Sequence, residues 1–331
     1  MRKFKIFLMC ILSMFIIGGC SGRGDEGTVL RFGYSSNSKP VIDSMKEFAR
    51  LIEEKTQGEV TVKFYPDSQL GSEVELIELT QTGAIDFTKV SASALEGFSK
   101  DYSIFGIPYL FDDEEHFFRV MENKEIMESI YNSTKDMGFV GLTYYDSGQR
   151  SFYMTEGPIL SPDDLKGKKI RTMQSETAIK MVELLGGSAV PMSSSEVFTS
   201  LQSNLIDGAE NNEFVLYTAG HGAVTKYYSY DEHTRVPDII IMNSTLKDRL
   251  TEEQYNSVLE AAKESTEFEK TLYKKAVEEE KKLATEKYQI EYFDDVNKEP
   301  FLEAVQPLHE EFKNDPQFSN VYSKIRELGN K

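Results

Sequence analysis

The spacing of apolar residues changes several times between residues 29 and 90. A short apolar stretch over 29–34 and alternating apolar and polar residues over 60–65 each predict a strand. Between them, apolar residues at near-helical spacing over 41–55 predict an amphipathic helix. A second predicted helix over 73–82 precedes a buried strand over 84–90. This succession of strands and helices indicates an α/β fold.

The segment 166–212 also combines strands and helices, and its strands end in polar residues. It predicts a strand ending at Arg171, two helices joined through a turn of small residues, and a strand ending at Asn211 and Asn212. Arg150 also lies between two predicted strands. Ligands of open α/β sheets bind beyond the strand ends, so these residues are candidates for a binding cleft.

Two stretches of the chain share a weak internal similarity. The tripeptide Ser-Glu-Val opens predicted helices at 72–74 and at 195–197, and each helix leads to a strand that contains Ile-Asp, at 85–86 and at 206–207. Two lobes of similar construction would produce this pattern. Coincidence is the alternative for a match of this length.

A long helix is predicted near the C-terminus. Thr251 and Gln254 fit a capping box, and no Pro or Gly follows until after residue 287. Such a helix would span ~50 Å. Its apolar stripe keeps no clean heptad, which argues against a coiled coil and favours a helix lying across two lobes.

Composition limits the function classes. The 331 residues, 40% of them hydrophobic, are enough for two domains. A net charge of −18 argues against nucleic acid as a partner, because phosphate binding needs a basic surface. An anion would have to be bound by a local cluster of arginine and backbone donors.

Residues 1–19 predict a targeting segment, with basic residues before an apolar stretch. The run Ile-Gly-Gly-Cys at 17–20 is typical of a lipobox and predicts cleavage before Cys20 and its lipidation. An ordinary signal peptide followed by a stray cysteine is the alternative. Residues 20–27 would form a tether. Cys10 would be removed, so we expect neither a disulfide nor a cysteine metal site.

Motifs of hydrolases, zinc peptidases and nucleotide-binding proteins are missing from the sequence. The four histidines are scattered, and none has a partner at metal-ligand spacing. We place only His233 near the cleft, in a loop, where a hydrogen-bonding role is favoured over catalysis. Paired acids for catalysis stay possible among 55 carboxylates.

Arg150 and Arg171 are the residues best suited to an anion. A guanidinium matches a carboxylate with two parallel hydrogen bonds, which lysine cannot reproduce. Asn211 can donate to a carboxylate or a hydroxyl. Ordinary surface ion pairs are the alternative for both arginines.

Five motifs together resemble the DctP-type solute-binding proteins of tripartite ATP-independent periplasmic (TRAP) transporters. They are YPDSQLG at 65–71, GAIDF at 83–87, DLKGKKIR at 164–171, PMSSSEV at 191–197 and IDGAEN at 206–211. The resemblance extends over nearly the whole mature chain. It implies two α/β lobes that close around a ligand by hinge bending. The expected lobes are 28–147 with 237–276, and 148–236 with 277–331.

The resemblance also assigns site residues. Arg171 is expected to bind the ligand carboxylate, with assistance from Asn211 and Arg150. The first lobe is expected to contribute Ser35, Glu73 and Ser91. The remaining expected ligand contacts are Gln174, Ser194 and His233.

Several departures and similarities narrow the expected ligand. Ser91 and Ser194 replace a glutamate and an aromatic residue of the sialic-acid branch, which argues against that ligand. Gln174 with Ser175, the doubled asparagine and residues 232–237 are similar to the sugar-acid branch. A hexuronate is therefore the first expectation, followed by a C4-dicarboxylate or another hydroxy or keto acid.

The resemblance further implies a role in transport. The expected partners are a membrane permease and, through Cys20, the outer face of the cytoplasmic membrane, with no cofactor or metal. An extracytoplasmic sugar-acid enzyme and a sensor that docks on a receptor are the rival functions.

Overall fold

The computed structural model describes residues 27–35 and 38–329. The predicted signal segment 1–19, the lipidation site Cys20 and all of the predicted tether except Gly27 lie outside the described residues. The strands of the described part are β1 (Thr28–Tyr34), β2 (Val60–Tyr65), β3 (Phe87–Ser91), β4 (Phe139–Tyr145), β5 (Arg150–Met154), β6 (Lys169–Thr172), β7 (Ser188–Pro191), β8 (Gly208–Asn211), β9 (Tyr227–Thr234), β10 (Asp238–Asn243) and β11 (Glu291–Phe293).

Helices cover both faces of the strands. They are α1 (Lys39–Lys55), α2 (Glu73–Gln81), α3 (Ala92–Leu95), α4 (Glu114–Met121), α5 (Lys124–Asn132), α6 (Glu176–Leu184), α7 (Ser194–Gln202), α8 (Phe214–Tyr217), α9 (Glu252–Tyr288), α10 (Glu299–Ala304), α11 (Gln306–Asn314) and α12 (Ser319–Gly329). Short 3₁₀ turns occupy Lys100–Gly106, Lys135–Met137, Pro162–Leu165, His221–Ala223 and Leu246–Arg249.

The strands form two sheets, and each sheet is the centre of one lobe. The first sheet has the order β2-β1-β3-β10-β4, and the second has the order β11-β9-β5-β8-β6-β7. The chain passes to the second lobe between β4 and β5, and it returns between β9 and β10. The predicted two-lobed α/β fold is confirmed.

Apolar side chains fill both faces of each sheet. In the first lobe Phe32 is fully buried, and its ring lies 5.3 Å from that of Phe64 and 5.9 Å from that of Phe87, between centroids. In the second lobe Phe152 and Ile170 pack with α6 in one cluster, and Tyr153 belongs to a cluster on the opposite face. Each sheet therefore buries its alternating apolar residues on two sides, as expected for an α/β domain.

The helix α9 joins the two lobes. Its 37 residues begin at a capping box, in which Thr251 Oγ1 accepts a hydrogen bond from the Gln254 amide at 3.2 Å. Val258 packs in the first lobe and Ala284 in the second. The predicted helix is confirmed, and it ends where Gln289 adopts a left-handed conformation with φ of 59°.

The expected assignment of all of 277–331 to the second lobe is wrong. Phe301 packs in the second lobe, whereas Leu308 and Phe312 pack in the core of the first. His309 Nε2 also lies 2.7 Å from the carbonyl oxygen of Pro108. The chain crosses between the lobes a third time along α9 and returns to the first lobe in a fourth crossing after Phe301. An amphipathic pattern shows that a helix has a buried face, but not which lobe covers it.

A buried polar cluster connects the first two crossings to α9. Arg235 donates to both carboxylate oxygens of Asp146, at 3.0 and 2.5 Å. The Asp146 amide donates to Glu269 Oε2 at 3.1 Å, and Glu269 Oε1 has no hydrogen-bond partner within the described chain. Burial raises the pKa of Glu269 well above its usual value, and the Asp146 carboxylate adds to this.

Replacing Glu269 by glutamine is expected to stabilise the fold at pH 8 and to change little at pH 4. A carboxyl group whose folded pKa is raised contributes its full stability below its unfolded pKa, and that contribution is lost as the pH rises through the folded value. Each pKa unit corresponds to about 1.4 kcal/mol. Urea denaturation at both pH values measures the difference. Glu279→Gln, at an exposed position of the same helix, is the control, and an equal effect of Glu269→Gln at both pH values would contradict the explanation.

Candidate functional site

A cavity of about 120 Å³ lies between the two lobes. Ser35 follows β1, Ser91 ends β3, Arg171 lies in β6 and Asn211 ends β8, so the carboxyl ends of parallel strands from both sheets meet there. Of the nine predicted ligand contacts, the cavity is lined by Ser35, Glu73, Ser91, Arg150, Arg171, Ser194 and Asn211.

Arg171 places a buried positive charge at this cavity. Its side chain is 4% exposed, and its Nε and Nη2 donate to the carbonyl oxygen of Met192 at 3.1 and 2.8 Å. No carboxylate within the described ranges lies close enough to form an ion pair with it. Burial lowers the pKa of Arg171, but a guanidinium stays protonated. Two N–H groups on Nη1 and one on Nη2 remain, which is the edge that grips a carboxylate.

Arg150 is already neutralised by Glu210. Its Nε lies 2.5 Å from Glu210 Oε2, and its Nη2 donates to Glu210 Oε1 at 2.9 Å and to the Glu210 carbonyl at 2.8 Å. Its Nη1 donates to Asn211 Oδ1 at 2.9 Å. Four of the five N–H donors of Arg150 are therefore used, and only one is left for a ligand.

Asn211 offers an amide nitrogen to the cavity. Its Oδ1 is occupied by Arg150 and by the Asn212 amide, at 2.8 Å for the latter. Its Nδ2 has no partner in the part of the chain that the structure describes. Asn212 is different, because its Nδ2 donates to the Ser147 carbonyl at 2.7 Å and ties β8 to the first crossing.

The opposite wall contains charged residues that the sequence did not identify as site residues. Lys89 of β3 places its Nζ 3.0 Å from Asp238 Oδ2 and 3.8 Å from Glu73 Oε1. The Ser91 amide donates to Glu73 Oε1 at 3.0 Å. Burial raises the pKa of Glu73. A lysine inside a predicted buried strand is a signal that could have drawn attention to Lys89.

The chain was compared with known proteins once this geometry was defined. A family model for DctP, the bacterial extracellular solute-binding proteins of family 7, matches residues 32–315. The chain belongs to the DctP family. Its members act outside the cytoplasm and bind solutes.

Individual relatives agree with the family. The protein YiiZ of Salmonella typhimurium is 48% identical over 303 residues, 92% of each chain. A TRAP solute-binding protein of Anaerococcus prevotii, solved with bound D-glucuronate, is 40% identical, with a TM-score of 0.88 and coverage of 92% of this chain and 98% of its own. A TRAP solute-binding protein of Xanthobacter autotrophicus, solved with β-D-galacturonate, is 35% identical, with a TM-score of 0.85 and coverage of 90% and 99%.

His233 does not line the cavity of this DctP protein, and it lies in strand β9 instead of a loop. Its Nδ1 lies 2.6 Å from Asp231 Oδ2. Its Nε2 lies 3.5 Å from Glu210 Oε2, too far for a well-formed hydrogen bond, so that contact is electrostatic. Any influence of His233 on a ligand would therefore pass through Glu210 and Arg150.

The pKa values of this pair are shifted in opposite directions. Burial lowers the pKa of His233, but Asp231 and Glu210 outweigh it and raise the pKa to about 9. Burial raises the pKa of Glu210, but Arg150 and His233 outweigh it and lower the pKa to about 2. Both groups are charged at neutral pH, and the Glu210 carboxylate holds Arg150 in place.

Gln174 lies beside the main cavity. It lines a smaller space of about 30 Å³ together with Arg171 and Ser194. A ligand would contact Gln174 only if it extended from the main cavity into this smaller space.

Neither a metal-binding cluster nor a membrane-spanning helix is found in residues 27–35 and 38–329. No group of three or more His, Cys, Asp or Glu side chains is arranged there to hold a metal ion. No helix in these ranges combines the length and the apolar character needed to cross a bilayer.

Proposed function

We propose that this DctP protein captures a hexuronate, such as glucuronate or galacturonate, and delivers it to a TRAP permease. The observation that carries the proposal is the buried Arg171, which has a free guanidinium edge and no ion pair within the described ranges. An anion that enters the cavity forms an ion pair with this guanidinium, and the buried positive charge is then compensated.

The other walls of the cavity suit the rest of a sugar acid. Asn211 and Ser194 provide hydrogen-bonding groups, and Glu73 and Asp238 provide acceptors for hydroxyl groups. Val41, Met173 and Phe214 add apolar surface suited to the C–H face of a sugar ring. The uronates bound in the two solved relatives have this combination of one carboxylate, several hydroxyls and an apolar face.

Ligand capture is expected to involve closure of the two lobes. Arg171 belongs to the second lobe and Glu73 to the first, so a ligand that contacts both favours the closed arrangement. Lipidation at Cys20 would hold the protein at the outer face of the cytoplasmic membrane, near its permease. Binding without turnover is the proposed activity, because residues 27–35 and 38–329 place no nucleophile with an activating base at the cavity.

A thermal-shift screen of sugar acids, C4-dicarboxylates and neutral sugars tests this function. D-glucuronate or D-galacturonate is expected to raise the melting temperature by several degrees, because a ligand at 100 times its Kd stabilises by about 2.7 kcal/mol. Neutral glucose is the matched control and should have no effect. A larger shift with succinate or malate would identify a dicarboxylate as the ligand, and conversion of the uronate during incubation would indicate an enzyme.

A further inference from the structure

Three ionisable side chains of the first lobe form one wall of the cavity: Glu73, Lys89 and Asp238. We call this set the acidic wall. Lys89 and Asp238 are almost completely buried, with side chains 4% and 9% exposed, while the Glu73 side chain is 24% exposed and lies at the cavity. The three side chains come from α2, β3 and β10, so the wall forms only after these elements are packed together.

The formal charges of the acidic wall do not cancel. Lys89 contributes one positive charge, and the two carboxylates contribute one negative charge each. Lys89 lies closer to Asp238 than to Glu73. Glu73 Oε1 accepts the Ser91 amide, and Glu73 Oε2 receives no hydrogen bond from the described residues. On the side of the cavity opposite Arg171, Glu73 Oε2 is thus a negatively charged hydrogen-bond acceptor to which no described residue donates.

We propose that the acidic wall is a selectivity filter that admits acids with one carboxylate and several hydroxyls and rejects dicarboxylates. This inference rests on the proposed function. When the carboxylate of a sugar acid is bound to Arg171, the hydroxyl groups of the sugar acid face the acidic wall. Glu73 and Asp238 then accept hydrogen bonds from these hydroxyl groups. A second carboxylate at the same place has no proton to donate and meets a like charge.

The size of this discrimination follows from the charge and the separation. Two unit charges about 5 Å apart in a partly buried site repel enough to weaken binding on the order of 100-fold. Arg150 does not offset this effect, because Glu210 neutralises it. Specificity in the proposed filter comes from a repulsive element as well as from attraction.

The ligand pair D-glucuronate and D-glucarate tests the filter by calorimetry. Glucarate has the same carbons and carries a second carboxylate, and the unchanged protein should bind it on the order of 100-fold more weakly than glucuronate. Glu73→Gln keeps the size of the side chain and removes its charge. It should improve glucarate binding relative to glucuronate by at least about tenfold. Differences in ligand shape are common to both proteins and cancel in this comparison.

Glu78→Gln, at an exposed position of the same helix α2, is the matched control and should leave the ratio unchanged. Asp238→Asn is the second variant and should shift the ratio in the same direction as Glu73→Gln. Binding of glucuronate by the unchanged protein together with an unaltered ratio in both variants would overturn the filter and leave the proposed function standing. Failure of the unchanged protein to bind any uronate would overturn the proposed function itself.

Discussion

Arg171→Ala is expected to abolish binding of the acid while the protein remains folded. Removing one partner of a buried, hydrogen-bonded charge pair costs about 2–5 kcal/mol, which corresponds to a loss of affinity of roughly 30- to 5000-fold. The free protein should not be destabilised to the same extent. Among the described residues Arg171 donates only to the Met192 carbonyl, so its removal from the ligand-free protein also relieves a desolvation cost.

Calorimetry and a melting curve of the same sample separate the two effects. Arg171→Lys keeps the positive charge but lacks the two parallel N–H donors of a guanidinium. It should therefore bind the acid more tightly than Arg171→Ala but more weakly than the unchanged protein. Arg50→Ala, which changes an arginine side chain that is 56% exposed on α1, is the control and should bind normally. Retained micromolar binding by Arg171→Ala would show that the carboxylate is held elsewhere.

Glu210→Ala should produce the largest loss of stability among these variants. It leaves Arg150 as a buried cation without its carboxylate partner and removes one of the two carboxylates beside His233. Breaking a buried ion pair from one side costs about 3–5 kcal/mol. Binding should weaken as well, because Arg150 would no longer hold Asn211 through an oriented guanidinium. Urea denaturation measures the stability, and Glu183→Ala at an exposed position of α6 provides the control.

The pH dependence of stability provides a second test of the same cluster. The contribution of Glu210 is present above its unfolded pKa and is lost as the pH falls through about 2. The contribution of His233 is present below its unfolded pKa, near 6.5, and is lost as the pH rises through about 9. The unchanged protein should therefore lose stability between pH 6.5 and 9, and Glu210→Ala should lose less over that range. Equal losses in the two proteins would contradict the assigned pairing.

Local patterns in the sequence were sufficient for much of the fold. The capping box at Thr251, the absence of Pro and Gly after it and the apolar stripe correctly predicted a helix that spans both lobes. The motifs of the second lobe led to Arg171 and Asn211, which do line one cavity with Glu73 and Ser91.

Contacts between distant parts of the chain account for what the sequence did not predict. Lys89 and Asp238 are in contact because β10, which follows the second-lobe strands β5–β9 in the sequence, pairs with β3 in the first sheet. The sequence does not show whether either arginine has a buried counter-ion, and the ion pair with Glu210 neutralises Arg150. His233 was placed in a loop because its neighbours are polar, but its neighbour Asp231 is a buried partner within the same strand.

A crystal structure of the protein grown with D-glucuronate would show which residue binds the carboxylate. The ligand carboxylate is expected on the Nη1–Nη2 edge of Arg171, with oxygen–nitrogen distances of about 2.7–2.9 Å, and its hydroxyl groups are expected to face Glu73. A glucuronate whose carboxylate lies on Lys89 instead, with Arg171 left without an anion, would contradict this expectation.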